Sequence, residues 1–179
     1  MEIEDLLSKV LEHGLWIADP SVGDRTILED VDFKPLAGKI EFHRISLRGA
    51  ALIRCNFDGL VLDGMDFLGS NLEGSSFRGA SLKRCNFMGA NMEGVDLDSS
   101  DLSGSVLSHS NLNNSNLRKA RCSNSTADHV SFHYANLYGA DFSGANLSFT
   151  SFLCANIKDI DLHCANTSHL DTTGVKGGL

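Results

Sequence analysis

The side chains with chemistry to offer are 7 histidines, 5 cysteines and 23 Asp plus Glu. Cys55, Cys85, Cys122, Cys154 and Cys164 are odd in number, contain no C-x-x-C pair and lack zinc-site spacing. That pattern predicts free, structurally ordinary thiols in a reducing compartment, not a disulfide framework. The sequence holds no G-x-S-x-G, P-loop, G-x-G-x-x-G, H-E-x-x-H or EF-hand loop, the arrangements that position a nucleophile, a phosphate, a dinucleotide or a metal. No catalytic, cofactor or metal site is therefore expected, and the chain reads as a non-enzyme.

Charge narrows the partners. With 15 Lys+Arg the formal net charge is −8, which opposes direct contact with nucleic acid or an anionic membrane. Residues 1–41 hold −6 of this and residues 42–166 only −2. The longest apolar run is a handful of residues and the N-terminus opens with Glu2, Glu4 and Asp5, so neither a membrane span nor a signal peptide is expected. A soluble, cytoplasmic protein follows as the expectation.

What positions the side chains is a period of five. Every fifth residue from Phe42 to Leu162 is large and apolar, apart from one Cys and one Ala, over 25 positions with no charged or polar interruption. The column includes Phe57, Phe67, Leu72, Phe77, Leu82, Phe87, Leu97, Leu102, Leu112, Leu137, Phe142 and Leu147. Two residues earlier, 20 of 25 positions are Ala, Ser, Cys, Thr or Val. The position just before the large residue is Asp or Asn in 14 cases, and Gly follows two residues after it in 11. A helix would smear this period around its circumference, and a flat strand would throw alternate members to opposite faces. The backbone must instead turn every five residues, with Asx and Gly at the corners. Successive rungs then stack about 4.8 Å apart, because a lone rung cannot pair its amides or bury its face.

The stretches AxLxRCNFxG (50–59), SNLEGSSFRGASLKRCNFMGANMEG (70–94) and YANLYGADFSGANLSF (134–149) resemble the pentapeptide-repeat family, whose motif is A(D/N)LxX. The resemblance implies an all-β fold: a right-handed quadrilateral β-helix, or β-solenoid, with 20 residues per coil. About six coils fit residues 42–166. On such a coil His109 and His129 stack, with Phe149 next above them. A metal there would lack a third and fourth ligand in the column, so an ordinary exposed histidine pair is the expectation.

The ends differ from the rod. Residues 1–41 are expected to form an N-terminal cap: an amphipathic α-helix over about 2–13, stopped by Gly14, that covers the open rod with Leu6, Leu7, Val10, Leu11 and Trp16. Irregular pentads at 26–33 place Leu28 and Phe33 one residue out of phase with Phe42, so the chain is expected to bulge near Lys34–Gly38 before the regular coils begin. Residues 167–179 form a Gly-rich tail without a helix, leaving a homodimer through that end as one possible partner.

A solenoid points its polar side chains outward from flat faces, which suits binding and not catalysis. His133, Tyr134, Tyr138, Phe149 and Leu153 gather outward near the C-terminal coils and form the candidate protein interface. The reading is a rigid protein-binding scaffold whose partner the residues do not name. The alternative comes from the resemblance, whose quinolone-resistance members of the Qnr and MfpA type mimic DNA and modulate the type II topoisomerase gyrase. Arg44, Arg48, Arg54, Arg78, Lys83 and Arg84 interrupt a phosphate-like stripe and demote it. The resemblance also implies a bacterial source, since family members occur mostly in bacteria.

Overall fold

A five-residue period requires a bend after every inward side chain. The computed structural model, which describes residues 2–19, 24–38 and 45–178, shows how each bend is made. The N–H three residues past the inward position donates to the inward residue's carbonyl, as from Ala80 to Phe77 and from Ala140 to Leu137, both at 3.0 Å. This is a β-turn whose third residue needs positive φ; Gly79 supplies it at φ 63° and Tyr134 at φ 60°. The Asx column holds the side before the bend: Asn56 Oδ1 accepts the Asp58 N–H and Asp96 Oδ1 the Asp98 N–H, each at 3.0 Å, as Asx turns do.

Backbone bonds run between successive coils along the rod. Leu72 N–H donates to Asn91 O at 2.7 Å, and Asn91 N–H donates back to Ser70 O at 2.9 Å. Parallel bridges run from Ser46↔Asp66 to Asn156↔Lys176 with a constant offset of 20 residues, so four five-residue sides close one coil. Each side is too short to be a formal strand. Among the described residues only β1 (Ile27–Glu29) and β2 (Ala51–Ile53) qualify, and they pair in parallel with Leu28 opposite Leu52.

That pair corrects the expected division of the chain. Its offset is 24 residues, as is that of Asp32↔Asn56, so pentads grouped by sequence with the cap are part of the rod. The four extra residues are the reason Leu28 and Phe33 look out of phase. A 3-10 turn at Lys34–Leu36 lies in the lengthened stretch and itself sends Leu36 into the core. Ile40, Phe42 and Arg44, where the regular column was expected to start, lie outside the described residues.

The inward column is dry. All twelve residues named above are 0% exposed. Phe57 stacks face to face on Phe77 with centroids 4.6 Å apart and Phe67 on Phe87 at 5.0 Å, whereas Phe132 meets Phe152 edge-on at 5.5 Å; each such pair adds about 0.5–1.5 kcal/mol beyond burial.

Helix α1 (Ile3–Ala18) has Glu4 and Asp5 in its first turn, where negative charge meets the positive end of the helix dipole. It does not stop at Gly14. A lone glycine costs a helix only about 1 kcal/mol, and Asp19 N–H still donates to Leu15 O at 2.9 Å. The stripe it buries is narrower than expected: Leu6 and Val10 are buried and Leu7 is partly buried, whereas Leu11 is 69% exposed. At 100° per residue Leu11 lies about 140° around the helix from Leu6. His13 takes the buried position instead, at 0% exposed. The Trp16 side chain is outside the described residues.

Candidate interaction faces

Because coils superpose every 20 residues, outward residues form columns up the rod. Most are polar ladders. Asn111 Nδ2 donates to Asn91 Oδ1 at 3.1 Å, and Asn91 Nδ2 to Asn71 Oδ1 at 3.0 Å. A second ladder climbs Asp96, Asn116, Asn136 and Asn156 at 2.9, 3.2 and 3.0 Å. Beside it, charge alternates: Arg78 and Arg118 reach the nearly buried Asp98 from below and above, at 3.3 and 2.9 Å. Burial works against the Asp98 charge, but Arg118, Ser99 and Arg78 outweigh it and hold the pKa below the ordinary carboxylate value. Arg48, Lys83 and Arg121 likewise pair with Asp66, Asp101 and Asp101.

Toward the C-terminal coils the columns change character. Leu153 stands one coil above His133 on one face. Tyr134 occupies the corner that ends this face and Phe149 the corner that begins it; both take left-handed backbone, φ 60° and 58°, and are 63% and 53% exposed. His133 is half-buried, its N–H donating to Asn113 Oδ1 at 2.9 Å. Tyr138 lies around the corner on the adjoining face, where the Lys158 ammonium sits 6.0 Å above its ring. Four of the five predicted interface residues therefore bound one face, and Tyr138 extends it.

The column beginning that face holds more than its spacing suggested. His109, His129, Phe149 and His169 form a continuous ring stack, with centroids 4.9, 4.9 and 4.5 Å apart. His169 is legible from the 20-residue step. Asp128, whose Oδ2 lies 3.2 Å from His129 Nδ1, belongs to the neighbouring column and was missed. His13, at the end of the helix span expected from sequence, turns toward the rod. Its Nε2 lies 3.0 Å from Arg48 O, and its Nδ1 accepts the Thr26 N–H at 3.0 Å.

The cysteines are free thiols; Cys55, Cys85 and Cys122 are buried, Cys154 partly so, and Cys164 exposed. Burial pushes Cys55 up to about 11 and Cys85 up to about 12, far from the thiolate range of a nucleophile. On the face opposite the aromatic one, a shallow groove is lined by Asp63, Gly64, Lys83, Arg84, Ser103, Gly104, Ser123 and Asn124. Among the described residues, no helix is long and apolar enough to cross a membrane.

Four-sided coils stacked by parallel backbone bonds define a β-solenoid. The chain belongs to the pentapeptide-repeat family: the family's pentapeptide-repeat model matches residues 40–79, 66–104, 105–144 and 128–163, with eight copies, and with it comes the right-handed β-helix. A pentapeptide repeat protein from the thylakoid lumen of Arabidopsis thaliana is similar at 33% identity and TM-score 0.55, over 60% of this chain and 73% of that one. QnrB1, a plasmid-mediated fluoroquinolone resistance protein, is 20% identical with TM-score 0.38, over 74% of this chain and 77% of its own. HetL of the cyanobacterium Nostoc, a pentapeptide repeat protein involved in heterocyst differentiation regulation, is 17% identical with TM-score 0.33, over 98% and 96%. No curated protein matches the sequence significantly.

Proposed function

We propose that this chain is a non-enzymatic scaffold that binds a partner protein through the face bounded by Phe149 and Tyr134. The exposure of those two rings carries the reading, since the same two corners bear Gly89 and Gly94 lower on the rod. Aromatic side chains bury large area for little rotamer entropy and are enriched where proteins meet. Leu153 and His133 fill the face between them, and Tyr138 continues it.

The alternative, a DNA-mimicking modulator of gyrase, needs an unbroken acidic face. The ion pairs of Arg78, Arg118, Lys83, Arg121 and Arg48 weigh against it. A homodimer through the C-terminal coil draws support from Leu162 and Leu170, which remain partly exposed at that end.

A photoreactive residue placed at position 134 or 149, in extract of the source cells, is expected to give one discrete adduct that Leu153→Ser abolishes. The same residue at position 103 or 123, on the opposite face, should give none. Equal labelling from both faces overturns the proposal. Inhibition of purified gyrase would favour the alternative.

A further inference from the structure

The ring stack and its neighbouring carboxylate form a donor set of a recognisable kind. One nitrogen each of His109 and His129 and one oxygen of Asp128 all lie within 4.8 Å of one another. Two imidazoles and a carboxylate suit zinc and its first-row neighbours. We propose that His109, His129 and Asp128 bind a divalent transition-metal ion, Zn2+ in the first instance, at this corner of the rod.

The backbone places the ligands and does not need the ion to do so. His109 N–H donates to Asp128 O at 3.1 Å and His129 N–H to Ser148 O at 3.0 Å, so the two rings are held one coil apart, with centroids 4.9 Å apart and planes 25° from parallel. Donors on a tetrahedral zinc with bonds of ~2.05 Å stand about 3.3 Å apart. The Asp128 Oδ2 to His129 Nδ1 distance is already 3.2 Å. Rotation of the exposed His109 ring closes the remaining gap, at no cost to the core. Asp128 is also oriented from behind: Ser108 Oγ donates to its other oxygen at 2.6 Å. That is the kind of outer contact that fixes a ligating carboxylate. The remaining coordination positions open to solvent beside Phe149, where water or a donor from another molecule completes the set.

The same column supplies a safe test. Gly69 and Gly89 occupy this corner lower on the rod with φ 62° and 64°, and His109 and His129 hold φ 61° and 56°. Replacing either histidine by glycine therefore removes the ligand and relieves the backbone. Zn2+ is titrated calorimetrically into the full chain carrying Cys154→Ser and Cys164→Ser, to remove the accessible thiols. One equivalent is expected to bind. His109→Gly, His129→Gly or Asp128→Asn should weaken the association at least ~10-fold, Ser108→Ala about 10-fold, and His163→Ala not at all. The urea midpoint without metal should be unchanged or higher in the glycine variants. Binding that survives His129→Gly and Asp128→Asn undiminished, or no uptake by the parent chain, overturns the proposal.

Discussion

Ser75 and Ser125 occupy the same kind of position, two residues before an inward side chain, yet their hydroxyls meet different fates. Ser75 Oγ donates to Leu52 O at 2.6 Å and accepts the Cys55 N–H at 2.9 Å. Ser125 Oγ is buried with no hydrogen-bond partner among the described residues, as is Ser105 Oγ. A buried hydroxyl without a partner carries a desolvation cost that a methyl group does not. Ser125→Ala is thus expected to raise unfolding stability by about 1 kcal/mol, and Ser75→Ala to lower it by about 1–3 kcal/mol because two buried backbone groups lose their partner. Urea denaturation of the two variants checks the opposite signs; a loss in both would mean that Ser125 is satisfied in solution. The sequence shows both residues as small and inward, since the five-residue period needs nothing more. It does not show which hydroxyl finds which carbonyl: Ser75 reaches Leu52 O on the coil below, whereas Ser70, Ser100, Ser110 and Ser115 bond the carbonyl three residues back on their own coil. Asp128 escaped because the repeat aligns residues one coil apart within a column, as with Ser108 beneath it, and does not show that its other oxygen turns to the ring of His129 in the next column.

At the scale of the element, α1 was legible as a helix but not in its docking. The periodic Leu6, Leu7, Val10 set its existence, and the acids its first turn. What turns the helix onto the rod is His13, bonded to Arg48 and Thr26, 35 and 13 residues away, and no local pattern encodes that. The geometry also fixes the ring's charge. Nδ1 accepts a backbone N–H and so must lack a proton, while Nε2 donates to a carbonyl, which leaves the neutral imidazole. Desolvation lowers its pKa below the ordinary 6.5, and nearby Arg25 adds to this, against the bond to Arg48 O. A histidine depressed in the folded state binds more protons when unfolded, so its contribution is complete above about pH 6.5 and is lost as pH falls through the folded value. The chain should therefore lose stability as pH falls below about 6.5, and His13→Gln should flatten that slope while lowering stability at pH 7. An identical pH slope in the variant would separate His13 from the effect. The four-residue excess of the first coil is a second case. The sequence announces it as a phase slip at Leu28 and Phe33, but the slip alone does not say whether those residues leave the rod or enter it through a longer side.

For the whole molecule, two periods are superimposed. The interior repeats every five residues, because any large apolar residue can replace another in the inward column. The exterior repeats every twenty, because Asn91 must meet Asn71 and Arg118 must meet Asp98. Deletions separate the two. Removing residues 71–90, one full coil, keeps every later column in register and shortens the rod by one rung. At about 0.05–0.15 kcal/mol per residue this costs roughly 1–3 kcal/mol, in keeping with a solenoid whose coils touch only their neighbours. Removing residues 86–90, a single pentad, leaves the inward column apolar but turns all later ladders by one face, so that Arg118 meets a different column and the Asn chain is broken at one seam. It should cost more stability per residue removed than the full coil does. Removing four residues, 87–90, shifts polar corner positions into the core of every later coil and should abolish cooperative unfolding of the C-terminal half. Circular dichroism with urea on the three variants gives the order directly: full coil, then pentad, then the four-residue deletion. If the pentad deletion is no more disruptive per residue than the full coil, the outer ladders contribute nothing to register, and the inward column alone holds the coils in phase.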